Sequence, residues 1–155
     1  MAMPRPLFKI LLMNLNTFKM KYGKLIIEKE EYEIISDLLS KVDSNDPVRK
    51  AGYVTLRKEL ENAEVKTADE MPDDVVRLNS FIDINTPMGR VEGYQLVLPK
   101  DSDPKEKKLS ILTPMGSALI GYAAGDEVIW SFPTGEKKIK IEKVYRGENH
   151  SEAKV

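Results

Sequence analysis

Two carboxylates at the tip of a turn, Asp43 and Asp46, are the residues of this chain best suited to chemistry. They lie in Asp43-Ser44-Asn45-Asp46-Pro47, a run of turn-forming residues. A carboxylate pair on a projecting turn can hold a magnesium ion supplied by a partner's active site, because magnesium takes hard oxygen ligands and keeps water in its remaining positions. Each aspartate also has a plainer use. Asp46 before proline reads as a helix N-cap with proline at the first helical position, and Asp43 reads as a solvated turn residue. A calcium loop is excluded, since Val48 stands where that loop needs glycine and Val54 where it needs glutamate.

Other chemistries lack their residues. There is no cysteine, which removes disulfides, thiolate zinc sites and a cysteine nucleophile. The single histidine, His150, sits in a polar tail, so neither a Ser-His-Asp triad nor a multi-histidine metal site can be assembled.

Two further segments deserve a functional and a structural reading. Thr113-Pro114-Met115-Gly116 is a helix start, with Thr113 as cap and Pro114 at the first position. It lacks the spaced glycines and lysine of a phosphate loop. By composition it is plain capping, although an exposed Pro-Met pair would also make a small apolar docking knob. Lys137-Lys138-Ile139-Lys140-Ile141-Glu142-Lys143 alternates charged and branched residues, which predicts a strand with lysines outward. An edge strand guarded by lysines is the simpler reading; a modest phosphate-contact strip is the other. Trp130 reads as core, or as the floor of a ligand pocket.

The elements that must position these residues follow from periodicity. Tyr32, Ile35, Leu38, Leu39 and Val42 form one helical stripe, with Glu30, Glu31, Glu33 and Asp37 on the opposite face. Tyr53, Leu56, Leu60 and Ala63 form a second stripe. Two such helices joined by a short polar loop fold back as an antiparallel hairpin. Leu25-Ile26-Ile27, just before it, is a strand or a helix lead-in. Lys66 to Asp74 reads as a linker. Beyond it, strands are expected over Val75–Ile84 and Val91–Leu98, with a slip near Gly93 and the turn Thr86-Pro87-Met88-Gly89 between them. A charged loop over Asp101–Lys108 precedes a short strand at Leu109–Leu112. A short helix over Pro114–Gly121 and two last strands, joined by the turn Pro133-Thr134-Gly135, complete an α+β pattern.

Charge and length narrow the function classes. The 155 residues carry a net charge of −1, distributed unevenly. Residues 1–27 hold five basic and no acidic side chains, whereas residues 28–74 hold seven basic against fourteen acidic. An acidic hairpin is poorly suited to gripping phosphates. No stretch approaches the ~18 apolar residues of a membrane span. Leu7–Met13 is too short, and interrupted by Lys9, for a signal segment. Residues 1–22 are therefore expected to be a mobile extension.

The second half of the chain carries a family pattern. Tyr94-Gln95-Leu96-Val97, Leu109-Ser110-Ile111-Leu112-Thr113-Pro114-Met115-Gly116-Ser117-Ala118-Leu119-Ile120-Gly121 and Gly125-Asp126-Glu127-Val128 resemble the C-terminal domain of the Gre transcription elongation factors. The family pattern is S-P-x-x-x-A-L-x-G, a short gap, then G-D-x-V; Thr113 replaces the serine. The junction Asp69-Glu70-Met71-Pro72-Asp73-Asp74-Val75-Val76 with Leu78-Asn79-Ser80 resembles the family's short-hairpin branch, the regulators of nucleoside diphosphate kinase.

The resemblance implies an α+β protein: a short helical hairpin at 23–67, a junction at 68–79, an FKBP-like antiparallel sheet with one short helix at 80–147, and a tail at 148–155. It implies that RNA polymerase is the partner and that Thr113, Pro114, Met115 and Gly116 dock on the rim of its secondary channel. Asp43 and Asp46 then mark the hairpin tip. Cleavage-stimulating Gre factors reach the polymerase metal with arms about twice as long as the ~21 Å available here. The expectation is thus a cytoplasmic regulator that competes with Gre factors, without catalytic residues, metal, cofactor or small-molecule substrate, and with weak or no direct nucleic-acid contact. A cleavage factor acting through Asp43 and Asp46 is the alternative. A peptidyl-prolyl isomerase is a remote one, for want of an aromatic-lined proline pocket.

Overall fold

A computed structural model of the chain describes residues 20–132 and 135–146, apart from the side chains of Val48 and of 130–132. The expectations placed on residues 1–19, on the Pro133-Thr134 turn, on the tail with His150 and on the Trp130 side chain lie outside what is described.

Leu25-Ile26-Ile27 leads directly from strand β1 (Ile26–Glu28) into helix α1 (Lys29–Lys41). Glu28 caps α1, its carboxylate accepting the N–H groups of Glu30 and Glu31 at 3.0 Å each; a negative group here also suits the positive end of the helix dipole. After a short loop, α2 (Pro47–Glu61) runs back, and β2 (Glu64–Lys66) pairs with β1 in a two-stranded parallel ladder. Where a linker was expected from Lys66, the chain first completes this ladder and then a 3-10 turn at Ala68–Glu70.

The larger sheet contains β3 (Ser80–Thr86), β4 (Gly89–Val97), β5 (Lys108–Ser110), β6 (Glu127–Phe132) and β7 (Gly135–Arg146), in the order β5-β4-β3-β7-β6. Its pairings are antiparallel except β4 with β5, which is parallel. The register slips between Ile82 and Ile84, where the Asp83 carboxylate accepts the Gly93 N–H at 2.9 Å. Helix α3 (Pro114–Leu119) packs against β6 and α2. The chain is thus α+β.

Two expectations about elements change. Val75, Val76 and Leu78 are buried, but they precede β3 and do not belong to it. Val75 and Val76 pair with the segment after α3: Val75 bridges Ala123, Val76 N–H donates to Tyr122 O at 2.8 Å and Gly121 N–H to Val76 O at 3.0 Å. The sheet is mostly antiparallel, as expected, with one parallel pairing where the chain, after 3-10 turns at Pro99–Asp101 and Pro104–Glu106, returns β5 alongside β4 in the same direction. The lysine-rich β7 is an interior strand, flanked by β3 and β6. Its lysines alternate outward because one sheet face is solvated, not because the strand is an edge.

One apolar core joins both halves. Ile35, Leu39, Tyr53, Leu56 and Leu60 of the hairpin share a cluster with Ile82, Ile84, Leu96, Ile139 and Ile141 of the sheet and Leu119 of α3. Both helical stripes face inward, with Tyr32, Leu38, Val42 and Ala63 packed at the margin of the same cluster.

Candidate functional site

The hairpin tip is built from residues that stop one helix and start another. α1 ends at Val42 in extended conformation, and Asp43 Oδ1 accepts the Ser44 N–H at 2.8 Å. Ser44 Oγ accepts the Asp46 N–H at 3.0 Å, and Asp46 lies 3.8 Å from Arg49 Nε. Pro47 opens α2, as the N-cap reading of Asp46 requires. Asp43 and Asp46 are both exposed. Among the described residues, no group of three or more His, Cys, Asp or Glu could hold a metal ion. Any cation at this tip would need ligands from elsewhere.

Arg57 closes the tip from the other arm. Its guanidinium donates to Leu39 O at 2.5 Å and to Val42 O at 3.3 Å. These are carbonyls at the end of α1, which lack helical partners, and a cation there also meets the negative end of the dipole.

The second candidate, Thr113 to Gly116, is a rigid corner. Thr113 Oγ1 donates to Ser110 O at 2.7 Å and accepts the Gly116 N–H at 3.0 Å, which caps α3. Ser110 Oγ accepts the Leu112 N–H at 3.0 Å. Thr113, Pro114 and Met115 are half-buried and Gly116 is buried. The knob is therefore lower than an exposed Pro-Met pair, since Met115 leans on the core. Gly116 serves α3 rather than the surface: a Cβ there would stand 2.1 Å from Ser110 O.

The corner and the hairpin root lie at the same end of the sheet. Ile111 N–H donates to Val97 O at 2.9 Å, and the neighbouring Leu96 O accepts from Asn79 at 2.6 Å, beside the start of β3. At that start Arg77 reaches Glu31 of α1, with Nη2 to Oε2 at 2.9 Å. Beside them a cleft of about 450 Å³ opens between α1 and the sheet, lined by Ile34, Glu31, Arg77, Leu78 and Leu98 among others. The Thr-Pro-Met-Gly turn at 86–89 joins β3 and β4 at the opposite end.

Several polar residues in these contacts were missed at the sequence level. Glu31 was assigned to the solvated face of α1, yet its side chain is only 12% exposed and is bound by Arg77. Glu59 and Tyr122 are buried and hydrogen-bonded at 3.2 Å. Burial pushes the Tyr122 hydroxyl well above its ordinary value, with the Glu59 charge adding to the effect. Residues 20–22, the described part of the expected extension, are anchored. Met20 is buried, Lys21 pairs with Asp74, and Tyr22 donates to Asp74 at 2.8 Å. Burial pulls the Asp74 carboxyl upward, but the hydrogen bonds from Lys21 and Tyr22 outweigh it and hold the group below its ordinary value. These partners lie tens of residues apart, so local pattern gives no sign of them.

The site therefore consists of a short helical hairpin rooted on an α+β domain, with a capped Thr-Pro corner beside the root. The family model for the transcription elongation factor GreA/GreB C-terminal domain matches residues 71–146. Together with a relative that shares 30% identity over most of its length, this places the chain in the GreA/GreB family of transcription elongation factors.

That relative is the transcription elongation factor GreA of Listeria monocytogenes, aligned over 118 residues that cover 76% of this chain and 69% of that one. The regulator of nucleoside diphosphate kinase of Escherichia coli is 37% identical over 81 residues, 52% of this chain. The alignment spans 60% of that relative's length. A solved GreA/GreB elongation factor from Nitrosomonas europaea superposes with a TM-score of 0.64 at 35% identity, covering 79% of this chain and 98% of that one. The family match begins at Met71, so it includes the buried Val75–Leu78 segment as well as the sheet. Among the described residues, no helix is long and apolar enough to cross a membrane.

Proposed function

We propose that this protein binds RNA polymerase at the rim of the secondary channel, places its short hairpin in the channel mouth, and competes there with Gre factors without stimulating transcript cleavage. The observation that carries the reading is the length of the arms. Helices of 13 and 15 residues extend about 20 Å at 1.5 Å per residue. A cleavage factor must hold its tip carboxylates at the polymerase metal, and an approach that stops well short contributes nothing to the reaction. Asp43 and Asp46 are then tip residues that meet the channel entrance.

Placement supports the same reading. The Thr113–Met115 corner and the hairpin root share one end of the sheet, so a single partner surface can meet both. Acidic Glu30, Glu33, Asp37, Asp43 and Asp46 are exposed along the hairpin. A basic channel entrance would attract them, raising the association rate more than the affinity. Relatives of both kinds match this chain, a regulator of nucleoside diphosphate kinase and a GreA factor, so it is the arm length that favours the non-cutting reading.

Co-purification with core RNA polymerase tests the partner. The wild-type chain is expected to be retained and the Pro114→Asp, Met115→Asp double variant to be lost; because Met115 leans on the core, the variant is assayed below its own unfolding midpoint, with circular dichroism showing it folded. Failure of the wild type to co-purify would end the proposal.

A further inference from the structure

We propose that Glu31 and Glu59, one on each arm, form a two-point mount that fixes the direction of the hairpin on the sheet domain. For its functional half the inference rests on the polymerase reading above; for its structural half it does not.

The first point is a fork. Glu31 Oε2 accepts from Arg77 Nε at 3.1 Å and Nη2 at 2.9 Å, while its Oε1 accepts the Leu78 N–H at 3.2 Å. Glu28 Oε1 lies 3.9 Å from the same guanidinium. Arg77 is itself rooted in the sheet domain. Its N–H donates to Ser80 Oγ at 2.8 Å, its carbonyl accepts the Ser80 N–H at 3.0 Å, and Arg146 Nη1 donates to the adjacent Leu78 O at 3.0 Å. The second point is on the other arm, where the Tyr122 hydroxyl donates to Glu59 Oε2 at 3.2 Å in a fully buried setting.

Apolar packing holds the arms to the core but has little directional preference. Hydrogen bonds carry distance and angle, and an arginine fork facing a carboxylate carries the most. A hairpin fixed at one point on each arm can turn only about the line joining them, and the shared core blocks that rotation. The mount matters because the tip is far from it. A tilt of about 20° at the root would displace a tip ~20 Å away by roughly 7 Å.

The absence of cysteine allows nitroxide labels at Asn45→Cys on the tip and Lys140→Cys on the sheet. Pulsed dipolar distances in the free protein should show one narrow population in the parent. In Glu31→Gln, Tyr122→Phe the width should at least double. Should that variant not fold, Arg77→Lys keeps the charge but loses the fork and should broaden the distribution less. A width unchanged in every folded variant would overturn the mount.

The functional readout is separate. The loosened variant should stay on polymerase as the parent does, yet need roughly tenfold more protein to compete with a Gre factor if its entering pose falls to about a tenth of the population. Equal competition by parent and loosened variant would remove the positioning role. Broadening in the variant, together with a parent that never competes, would leave the mount standing and bring down the polymerase reading.

Discussion

The tetrapeptide Thr-Pro-Met-Gly occurs twice, at 86–89 and at 113–116, and the two copies fold differently. In the first, Thr86 Oγ1 accepts the Met88 N–H at 3.1 Å and closes a strand-to-strand turn in which Gly89 takes φ +130° and Met88 is 80% exposed. In the second, the same residues cap a helix, Met115 leans on the core, and glycine is required by contact rather than by conformation. Gly116→Ala must therefore push α3 off Ser110 O, at a cost of about 2–3 kcal/mol as in other overpacked sites; urea unfolding should report it as a lowered midpoint with unchanged slope. Local sequence read the first copy as a turn between strands and the second as a helix start, and both take those forms. What it could not show is why each glycine is needed, because that depends on what packs behind it. The motif residue Asp126 is explained in the same way. It is buried, and its two carboxylate oxygens accept the Lys21 and Ala123 N–H groups at 2.8 Å each.

At the scale of elements, periodicity reported the hairpin well. Its two stripes needed only a 3.6-residue repeat and a polar break, both of which are local. The same logic misread Val75–Leu78 as part of β3. A buried β-branched run looks alike whether it joins a sheet or pairs with a loop. It also took β7 for an edge, because strand order is a property of the whole sheet. The polar links between elements were illegible for a related reason: Glu31 and Arg77 are 46 residues apart, and nothing near either marks the other. Arg57 is a link of this kind within the hairpin. Arg57→Gln withdraws a charged donor from Leu39 O and Val42 O, with an expected loss of about 1 kcal/mol at this partly exposed site. The check is a two-state urea curve, in which a variant as stable as the parent would show that solvent serves these carbonyls equally well.

The molecule as a whole couples a rigid, capped corner to a short hairpin through one continuous core. The chain belongs to the GreA/GreB family, and on the polymerase reading proposed above the reach of its hairpin is what separates the possible effects. The C-terminal pattern was legible in sequence because its glycines and caps serve local geometry that any member must build. The effect was less legible, since the tip pair Asp43 and Asp46 suits both a cutting factor and a competitor, and only arms of 13 and 15 residues argue between them. A stalled elongation complex carrying a 5′-labelled transcript decides the matter. Adding the protein alone should leave the transcript at full length, and adding it with a Gre factor should slow that factor's cleavage in proportion to dose. Shortened transcript produced by this protein alone, and abolished by Asp43→Ala, Asp46→Ala, would contradict the account.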